Sequence, residues 1–333
     1  MESSTDPRHD HDGTTVRRFR VMGTYGEVIV VGGPDGLASR AERRLAELER
    51  RWSRFRPDSE LSRLNLAGGA PCVVSPDTVA LVEAMRTAWT ATRGRFDPTL
   101  HDDLVRLGYG VGWEAGTLAG EWSSVGEPSA SLTRPDIRTD ESGCAGIEIA
   151  ARAGIVRLPP WVRLDPGGLG KGLAADLVAA EALEGGADGV LVNVGGDLRV
   201  AGTPPRNASA SPVGRQPGWL ITVEDPAPGR DPIAEIELLE GGIATTTSAR
   251  RRWTTADGHV VHHVLDPATR RPAESSRVQA TVLAGSAWWA EVLATVAFLD
   301  GRLDEPHAAA LLVDDRGAVS TLGDAPRWFR TLP

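Results

Sequence analysis

The sequence RLDPGGLGKGLAAD, residues 163–176, is the stretch around which the rest of the chain is organised. It places four glycines within six positions, directly before a segment whose apolar residues recur with helical spacing. Glycine tolerates positive φ and lets the backbone approach a ligand closely. A loop of this kind at a helix N-terminus offers N–H groups and the positive end of the helix dipole to an anion. The stretch therefore predicts either a phosphate site or a tight turn before a surface helix.

Charged side chains lie within and beside this loop. Lys171 adds a cation that suits a phosphate, whereas Asp165 and Asp176 bracket the loop with carboxylates. Carboxylates at these positions suit a metal ion or hydrogen bonds to a ribose or a base. The loop matches neither the dinucleotide-binding pattern Gly-x-Gly-x-x-Gly in its usual context nor the P-loop pattern Gly-x4-Gly-Lys-Ser/Thr.

Composition narrows the class of protein. The chain has 333 residues, a formal charge of −9 and 41% hydrophobic residues, which indicates a soluble globular protein of one or two domains. The acidic balance argues against a nucleic-acid partner. Cys72 and Cys144 are too few for a disulfide framework and lack metal-binding spacing, so both are expected to be buried. No run of 18 apolar residues exists, so no membrane span is expected.

The N-terminal segment is polar and charged. We predict that residues 1–17, which include His9 and His11, form a disordered tail, and that residues 18–333 form the folded domain. Residues 1–20 contain no apolar segment typical of a signal peptide, and Phe19 interrupts a twin-arginine interpretation of the neighbouring arginines. We therefore expect a cytoplasmic location.

Hydrophobic periodicity predicts both helices and strands. The helices are expected at 37–52, 78–93, 100–107, 173–184 and 286–299. The strands are expected, among others, at 28–31, 189–194, 219–223, 233–239 and 278–283.

Polar residues follow or interrupt several of these elements. Residues 195–197, Gly-Gly-Asp, come after a buried strand and form either a second wall of a ligand site or a hairpin turn. His262 and His263 are adjacent in a predicted strand, so only one of them faces a given site. Glu291 and Thr295 are one helical turn apart, and they form either part of an all-oxygen Mg²⁺ or Ca²⁺ site or a simple side-chain pair.

Eight short segments, taken in order, resemble the FAD:protein FMN transferase family, the ApbE-type flavin transferases. The resemblance covers residues 21–313, and its most specific parts are the glycine loop and the stretch His-His-Val-Leu-Asp-Pro. It implies an α+β fold of mixed or antiparallel sheets with packed helices. The eight segments are residues 22–24, 55–65, 96–99, 165–176, 193–197, 245–248, 262–267 and 291–295.

The resemblance also implies an activity, which is the Mg²⁺-dependent transfer of FMN from FAD to a threonine hydroxyl of an acceptor flavoprotein, with release of AMP. It implies that the carbonyl of Gly168, the Glu291 carboxylate and Thr295 bind the metal. It makes His263 the candidate general base for the threonine proton, since an imidazole has an ordinary pKa of about 6.5. The residues that it places at the FAD site are Met22, Phe55, Phe96, Asp97, Asp165 and Lys171.

Three departures from the family pattern keep alternatives open. Glu291 replaces the usual metal-binding aspartate, and Ala294 stands where many members offer a carboxylate or small polar group. Residues 249–252, Ala-Arg-Arg-Arg, replace the usual Gly-Asp-Tyr-like continuation; these arginines either bind the acceptor or another acidic partner or form a solvated face. The alternative functions are FAD pyrophosphatase activity, giving FMN and AMP, and flavin binding without catalysis.

Overall fold

The computed structural model describes residues 13–109, 143–206, 217–255 and 258–324, and the backbone at 8–9 and 329–331. The chain divides into two compact units. Unit 1 comprises Met1–Glu47, Lys171–Ala249 and Ser275–Pro333, and unit 2 comprises Leu48–Gly170 and Arg250–Glu274. Helices and strands are numbered below in chain order.

Unit 1 is built on a nine-stranded sheet in which all neighbouring strands are antiparallel. The central strands have nearly continuous apolar residues, as expected for strands covered on both faces. In spatial order the strands are β1 (Arg8–His9), β2 (Thr14–Val21), β3 (Thr24–Val31), β7 (Gly189–Val194), β8 (Asp197–Gly202), β11 (Gly241–Thr247), β16 (Arg277–Ala284), β17 (Ala309–Asp314) and β18 (Val319–Gly323).

The folded part begins earlier than the sequence suggested. β2 begins at Thr14 and pairs with residues 8–9, so the prediction of a disordered tail over residues 1–17 is wrong for this part. The arginines that made the segment look solvated lie on a half-buried strand. Arg18 Nε forms a 2.6 Å ion pair with Glu27 Oε1, and Arg17 pairs with Glu42.

Two helices of unit 1 carry the predicted site residues, namely α5 (Gly170–Glu184) and α6 (Ala287–Asp300). α6 packs against β8, β11, β16 and β17 and buries most of its side chains, including Ala294. A second sheet has the order β19 (Phe329–Thr331), β10 (Ala234–Leu238) and β9 (Trp219–Val223). Val200, Ile236 and Leu311 are fully buried in a hydrophobic cluster that includes residues of both sheets.

Unit 2 contains short helices and small antiparallel sheets. Its helices are the C-terminal end of α1 (Leu37–Trp52), α2 (Glu60–Leu66), α3 (Pro76–Ala91) and α4 (His101–Arg106). Ser59 and Ser75 accept backbone N–H groups at the starts of α2 and α3, and α3 begins at Pro76, after the Ser75 cap, rather than at the predicted residue 78. Its strands are β4 (Cys72–Val73), β5 (Glu148–Ala150), β6 (Ile155–Arg157), β12 (Arg252–Thr254), β13 (Val260–His262), β14 (Leu265–Asp266) and β15 (Arg271–Pro272).

The predicted α+β class is confirmed by the helices and antiparallel sheets of both units. The boundaries differ where local chemistry decides them. β13 ends at His262, so His263 lies just outside the strand that was predicted to contain both histidines. Among the helices that the structure describes, none has the length and apolar character needed to cross a membrane.

Candidate active site

Two tight turns lie at one end of the large sheet in unit 1. Met22 and Gly23 connect β2 to β3 with φ values of +50° and +69°, and Gly195 and Gly196 connect β7 to β8 with +67° and +99°. Two-residue connections with positive φ at both positions are type I′ hairpins. β3 pairs with β7, so the turns are neighbours. The hairpin interpretation of residues 195–197 is thus correct, and it places Asp197 at the start of β8.

Lys171 is the centre of a buried ionic cluster in unit 1. Its ammonium group contacts one carboxylate oxygen of Asp197 and one of Glu291, whose exposed fractions are 3% and 4%. The second oxygen of Glu291 accepts the Gly172 N–H at 2.8 Å, and Asp197 Oδ1 accepts the Thr245 N–H at 3.2 Å. Strand β8 and helices α5 and α6 therefore meet at one cation.

One ammonium group in this cluster faces two buried carboxylates, so the cluster would be net negative if both were ionised. Burial raises the pKa of Glu291 to about 8, since the attraction of Lys171 does not offset the loss of solvation and the repulsion from Asp197. At neutral pH this raised pKa favours the protonated form of Glu291. A further cation near Glu291 would favour its ionised form.

Hydroxyl groups lie close to the same cluster. Thr295 Oγ1 lies 3.3 Å from Thr246 Oγ1 and donates to the backbone oxygen of Glu291 at 3.2 Å. Within the described residues, no three His, Cys, Asp or Glu side chains form a metal-binding group. Mg²⁺ commonly binds through one or two carboxylates together with substrate phosphates, and the carboxylate of Glu291 and the hydroxyl of Thr295 are oxygen donors of the kind that this ion prefers.

Helices α5 and α6 each carry a carboxylate that accepts backbone N–H groups from the first turn of the other helix. Asp176 on α5 accepts the N–H groups of Ala287 and Trp288, both at 2.9 Å, while Glu291 on α6 accepts that of Gly172. Ser286, the N-cap of α6, makes no side-chain cap of its own. Asp176 therefore acts as a helix cap, and Gly172 allows the close approach, because a Cβ there would lie 2.5 Å from the Ala287 oxygen.

The glycine loop owes its shape to Asp165 rather than to positive φ, since Gly167, Gly168, Gly170 and Gly172 all have ordinary φ values. Asp165 Oδ1 accepts the Gly167 N–H at 2.7 Å, which forms a local turn. Asp165 Oδ2 lies 3.1 Å from Arg54 Nε in a buried ion pair. Gly168 follows in this turn and is half-buried.

The predicted FAD contacts in unit 2 differ in exposure. Phe55 is 38% exposed, whereas Phe96 is 5% exposed and belongs to the core. Asp97 Oδ1 accepts the backbone N–H and the hydroxyl of Thr99 at 2.8 and 2.7 Å, so this carboxylate shapes its own turn. Of these residues, Phe55 presents the most surface to a ligand.

The two histidines have different environments. His262 Nε2 lies 3.2 Å from the Ala273 oxygen, and its Nδ1 accepts the Val264 N–H at 3.3 Å, which assigns the neutral Nε2–H tautomer. Burial lowers the pKa of His262, in agreement with this assignment. His263 is half-buried, just beyond the end of β13. Both ring nitrogens of His262 are engaged with backbone, which leaves His263 as the better candidate for proton transfer.

Three residues have contacts that the sequence does not predict. Asp197 is predicted as part of a ligand-site wall or of a turn, but not as a partner of Lys171. Asp176 is predicted as a ligand rather than as a helix cap, and in unit 2 Arg54 has no signal in the sequence.

Comparison with known proteins assigns the family. The profile of the ApbE family matches residues 22–329. The chain belongs to the ApbE family. The resemblance seen in the sequence is therefore confirmed.

Similar proteins of known name agree with this assignment. This ApbE-family chain is 28% identical over 262 residues to a FAD:protein FMN transferase of Treponema pallidum, covering 77% of the chain and 69% of the relative. It is 30% identical over 269 residues to one of Vibrio cholerae, covering 78% and 72%.

Solved structures agree as well. The ApbE protein from Thermotoga maritima superposes with a TM-score of 0.76 at 25% identity, covering 96% of this chain and all (100%) of the other. The flavin transferase ApbE from Vibrio cholerae gives a TM-score of 0.68 at 25% identity, covering 95% and 99%.

Proposed function

We propose that this protein transfers FMN from FAD to a threonine hydroxyl of an acceptor flavoprotein and releases AMP. The observation that carries the proposal is the Lys171 cluster beside the first turn of α5, in a chain of the ApbE family. A cation, a helix N-terminus and buried carboxylates are the groups that a pyrophosphate and its metal ion require. A cytoplasmic location stays a prediction from the sequence.

The proposed ligands of FAD are those that the resemblance implied. They are Met22, Phe55, Phe96, Asp97, Asp165 and Lys171. Among these, Phe55 and Lys171 are proposed as the main contacts, because Phe96 is in the core and the carboxylates of Asp97 and Asp165 accept N–H groups of their own turns.

Glu291 and Thr295 are the proposed protein ligands of Mg²⁺, and the Gly168 carbonyl stays a predicted third ligand. In this chain one carboxylate oxygen of Glu291 contacts Lys171 and the other accepts the Gly172 N–H. When bound, Mg²⁺ would neutralise charge on the pyrophosphate. Lys171 would stabilise the charge that develops on the leaving AMP.

The reaction needs one proton transfer. The threonine Oγ attacks the FMN phosphorus, a new P–O bond forms, and the pyrophosphate P–O bond to AMP breaks. The threonine hydroxyl is a weak nucleophile, so a base must accept its proton as the bond forms. We assign this role to His263, because backbone groups engage both ring nitrogens of His262 and leave it no nitrogen to accept the proton.

Intact mass measurement tests the proposal. The protein is incubated with FAD, Mg²⁺ and an acceptor domain that contains the segment Asp-Ser/Thr-Gly-Ala/Ser-Ser/Thr-Thr. A gain of one FMN on the acceptor, absent with EDTA, is expected. AMP without a mass gain would instead favour FAD pyrophosphatase activity, and bound FAD without either product would favour a flavin-binding protein.

A second experiment tests the base. His263→Ala should lower kcat for transfer while FAD binding is retained, and His259→Ala, an exposed histidine before β13, is the matched control. An unchanged kcat for His263→Ala would contradict the assignment.

A further inference from the structure

Arg54 is a buried arginine whose role is unexplained by the proposed reaction. It lies two residues after α1, and its side chain is only 5% exposed. Arginine is rarely buried to this degree unless its charge is paired and its donors are used. The contacts of Arg54 therefore show what this charge does in unit 2.

The guanidinium group of Arg54 joins the glycine loop to the segment after α4. Its Nε lies 3.1 Å from Asp165 Oδ2, the carboxylate that also shapes the glycine loop through Gly167. Its Nη2 donates to the backbone oxygen of Tyr109 at 2.8 Å. One planar group thus connects two chain segments that are far apart in sequence.

The same guanidinium group packs against two aromatic rings. Its central carbon lies 4.5 Å from the ring centroid of Phe55 and 4.6 Å from that of Tyr109, distances typical of cation–π contacts. Tyr109 in turn stacks on Trp253 at 5.0 Å with an interplanar angle of 21°. The indole N–H of Trp253 donates to the Leu107 oxygen at 2.6 Å, which fixes the far end of the stack.

Phe55 is the member of this aromatic group that remains accessible. Its ring meets Tyr109 edge-on at 6.2 Å and 83°, lies next to Arg54, and is 38% exposed. A partly exposed ring that is supported by a cation, beside an edge-on second ring, is suited to stack on a planar aromatic ligand.

We propose that Arg54 is a positioning residue that holds Phe55 and Asp165 in place for the flavin ring of FAD. This inference rests on the proposed function, because it takes FAD as the ligand. Arg54 acts through its two neighbours and is not a catalytic residue. Lysine would not replace arginine at this position. The planar guanidinium group lies beside Asp165, donates to the Tyr109 oxygen and packs against two rings at once, whereas the compact ammonium group of lysine cannot make all of these contacts.

The test compares two ligands that share the adenosine diphosphate part. Binding of FAD and of ADP is measured by calorimetry for the wild type, Arg54→Lys and the matched control Arg56→Lys. Arg56 is two residues away and pairs with Asp58 on the surface, with 47% of its side chain exposed. We expect Arg54→Lys to raise the Kd for FAD at least tenfold and to change the Kd for ADP less than twofold, with both values unchanged in the control.

A purely structural role of Arg54 would give another pattern. Equal weakening of FAD and ADP binding, or no weakening of either, would overturn the proposal. Phe55→Ala serves as a second variant at an accessible position and should reproduce the FAD-selective loss, so normal FAD binding by this variant would also overturn it. If the wild type itself fails to bind FAD, the proposed function fails, and this outcome is distinct from the others.

Discussion

Replacing Asp176 by alanine removes the cap of the helix that carries Glu291 and Thr295. Both oxygens of Asp176 accept backbone N–H groups of the first two residues of α6, and Ser286 supplies no substitute. The Asp176 side chain is 16% exposed, so water reaches the vacated position poorly. The variant therefore leaves two N–H groups without their acceptor at a largely buried helix end.

The size of the effect follows from these two groups. An orphaned buried donor costs about 1–3 kcal/mol, and loss of an N-cap side chain typically costs about 1 kcal/mol. Removing an aspartate whose pKa is raised by burial recovers part of this cost, because its charge is poorly solvated. We expect a net loss of about 2–3 kcal/mol, which corresponds to a fall in Tm of about 5–10 °C for a unit of this size.

Calorimetric melting at pH 7 measures this prediction. Asp176→Asn should give roughly half the loss, because its amide oxygen can accept one N–H while its NH₂ group faces the other. Asp58→Ala is the control, since Asp58 is a surface carboxylate with 69% of its side chain exposed. A fall of less than about 1 °C for Asp176→Ala would refute the capping role derived from the structure.

Two further predictions concern charge. Glu291→Gln keeps an oxygen for the Gly172 N–H but removes one of the two carboxylates around Lys171. The Tm without metal should therefore be unchanged or higher, whereas the Mg²⁺-induced rise in Tm and the transfer of FMN should be lost. A normal response to Mg²⁺ would contradict the metal assignment. Burial lowers the pKa of His262 in the folded state below its usual 6.5. The contribution of the neutral, buried ring to stability is therefore complete above about pH 6.5, and it is lost as the pH falls towards the folded-state pKa. The Tm of His262→Gln should fall less than that of the wild type between pH 7.5 and pH 5.5, and equal falls would exclude His262 as the cause of the pH dependence.

Much of the fold could be predicted because its signals are local. The spacing of apolar residues located α1, α3, α5 and α6 to within about three residues. The i, i+4 relation correctly placed Glu291 and Thr295 on one helical turn, where Thr295 donates to the Glu291 backbone oxygen. The hairpin turn that follows β7 is one of the two interpretations that its glycines offer in the sequence.

The unpredicted features depend on contacts between distant segments. Arg54 is one of four arginines within residues 50–56, and no local pattern distinguishes the buried one from its neighbours. Asp197 pairs with Lys171 only because β8 returns beside β7 and α5 starts nearby. The early start of β2 was missed because arginines on a half-buried strand look the same in composition as arginines in a solvated tail.

The arrangement around Lys171 is better explained by a ligand than by stability. Two buried carboxylates face one ammonium group, and one of them has a pKa raised to about 8. Replacement of such a group by apolar residues is often neutral or stabilising, so the second buried carboxylate is not explained by a gain in stability. The helix contacts do not require it either, because the amide oxygen of a glutamine at position 291 could also accept the Gly172 N–H. The proposed Mg²⁺ beside Glu291 would give this carboxylate a second cation and favour its ionised form, which is why the Glu291→Gln variant separates a ligand role from a folding role.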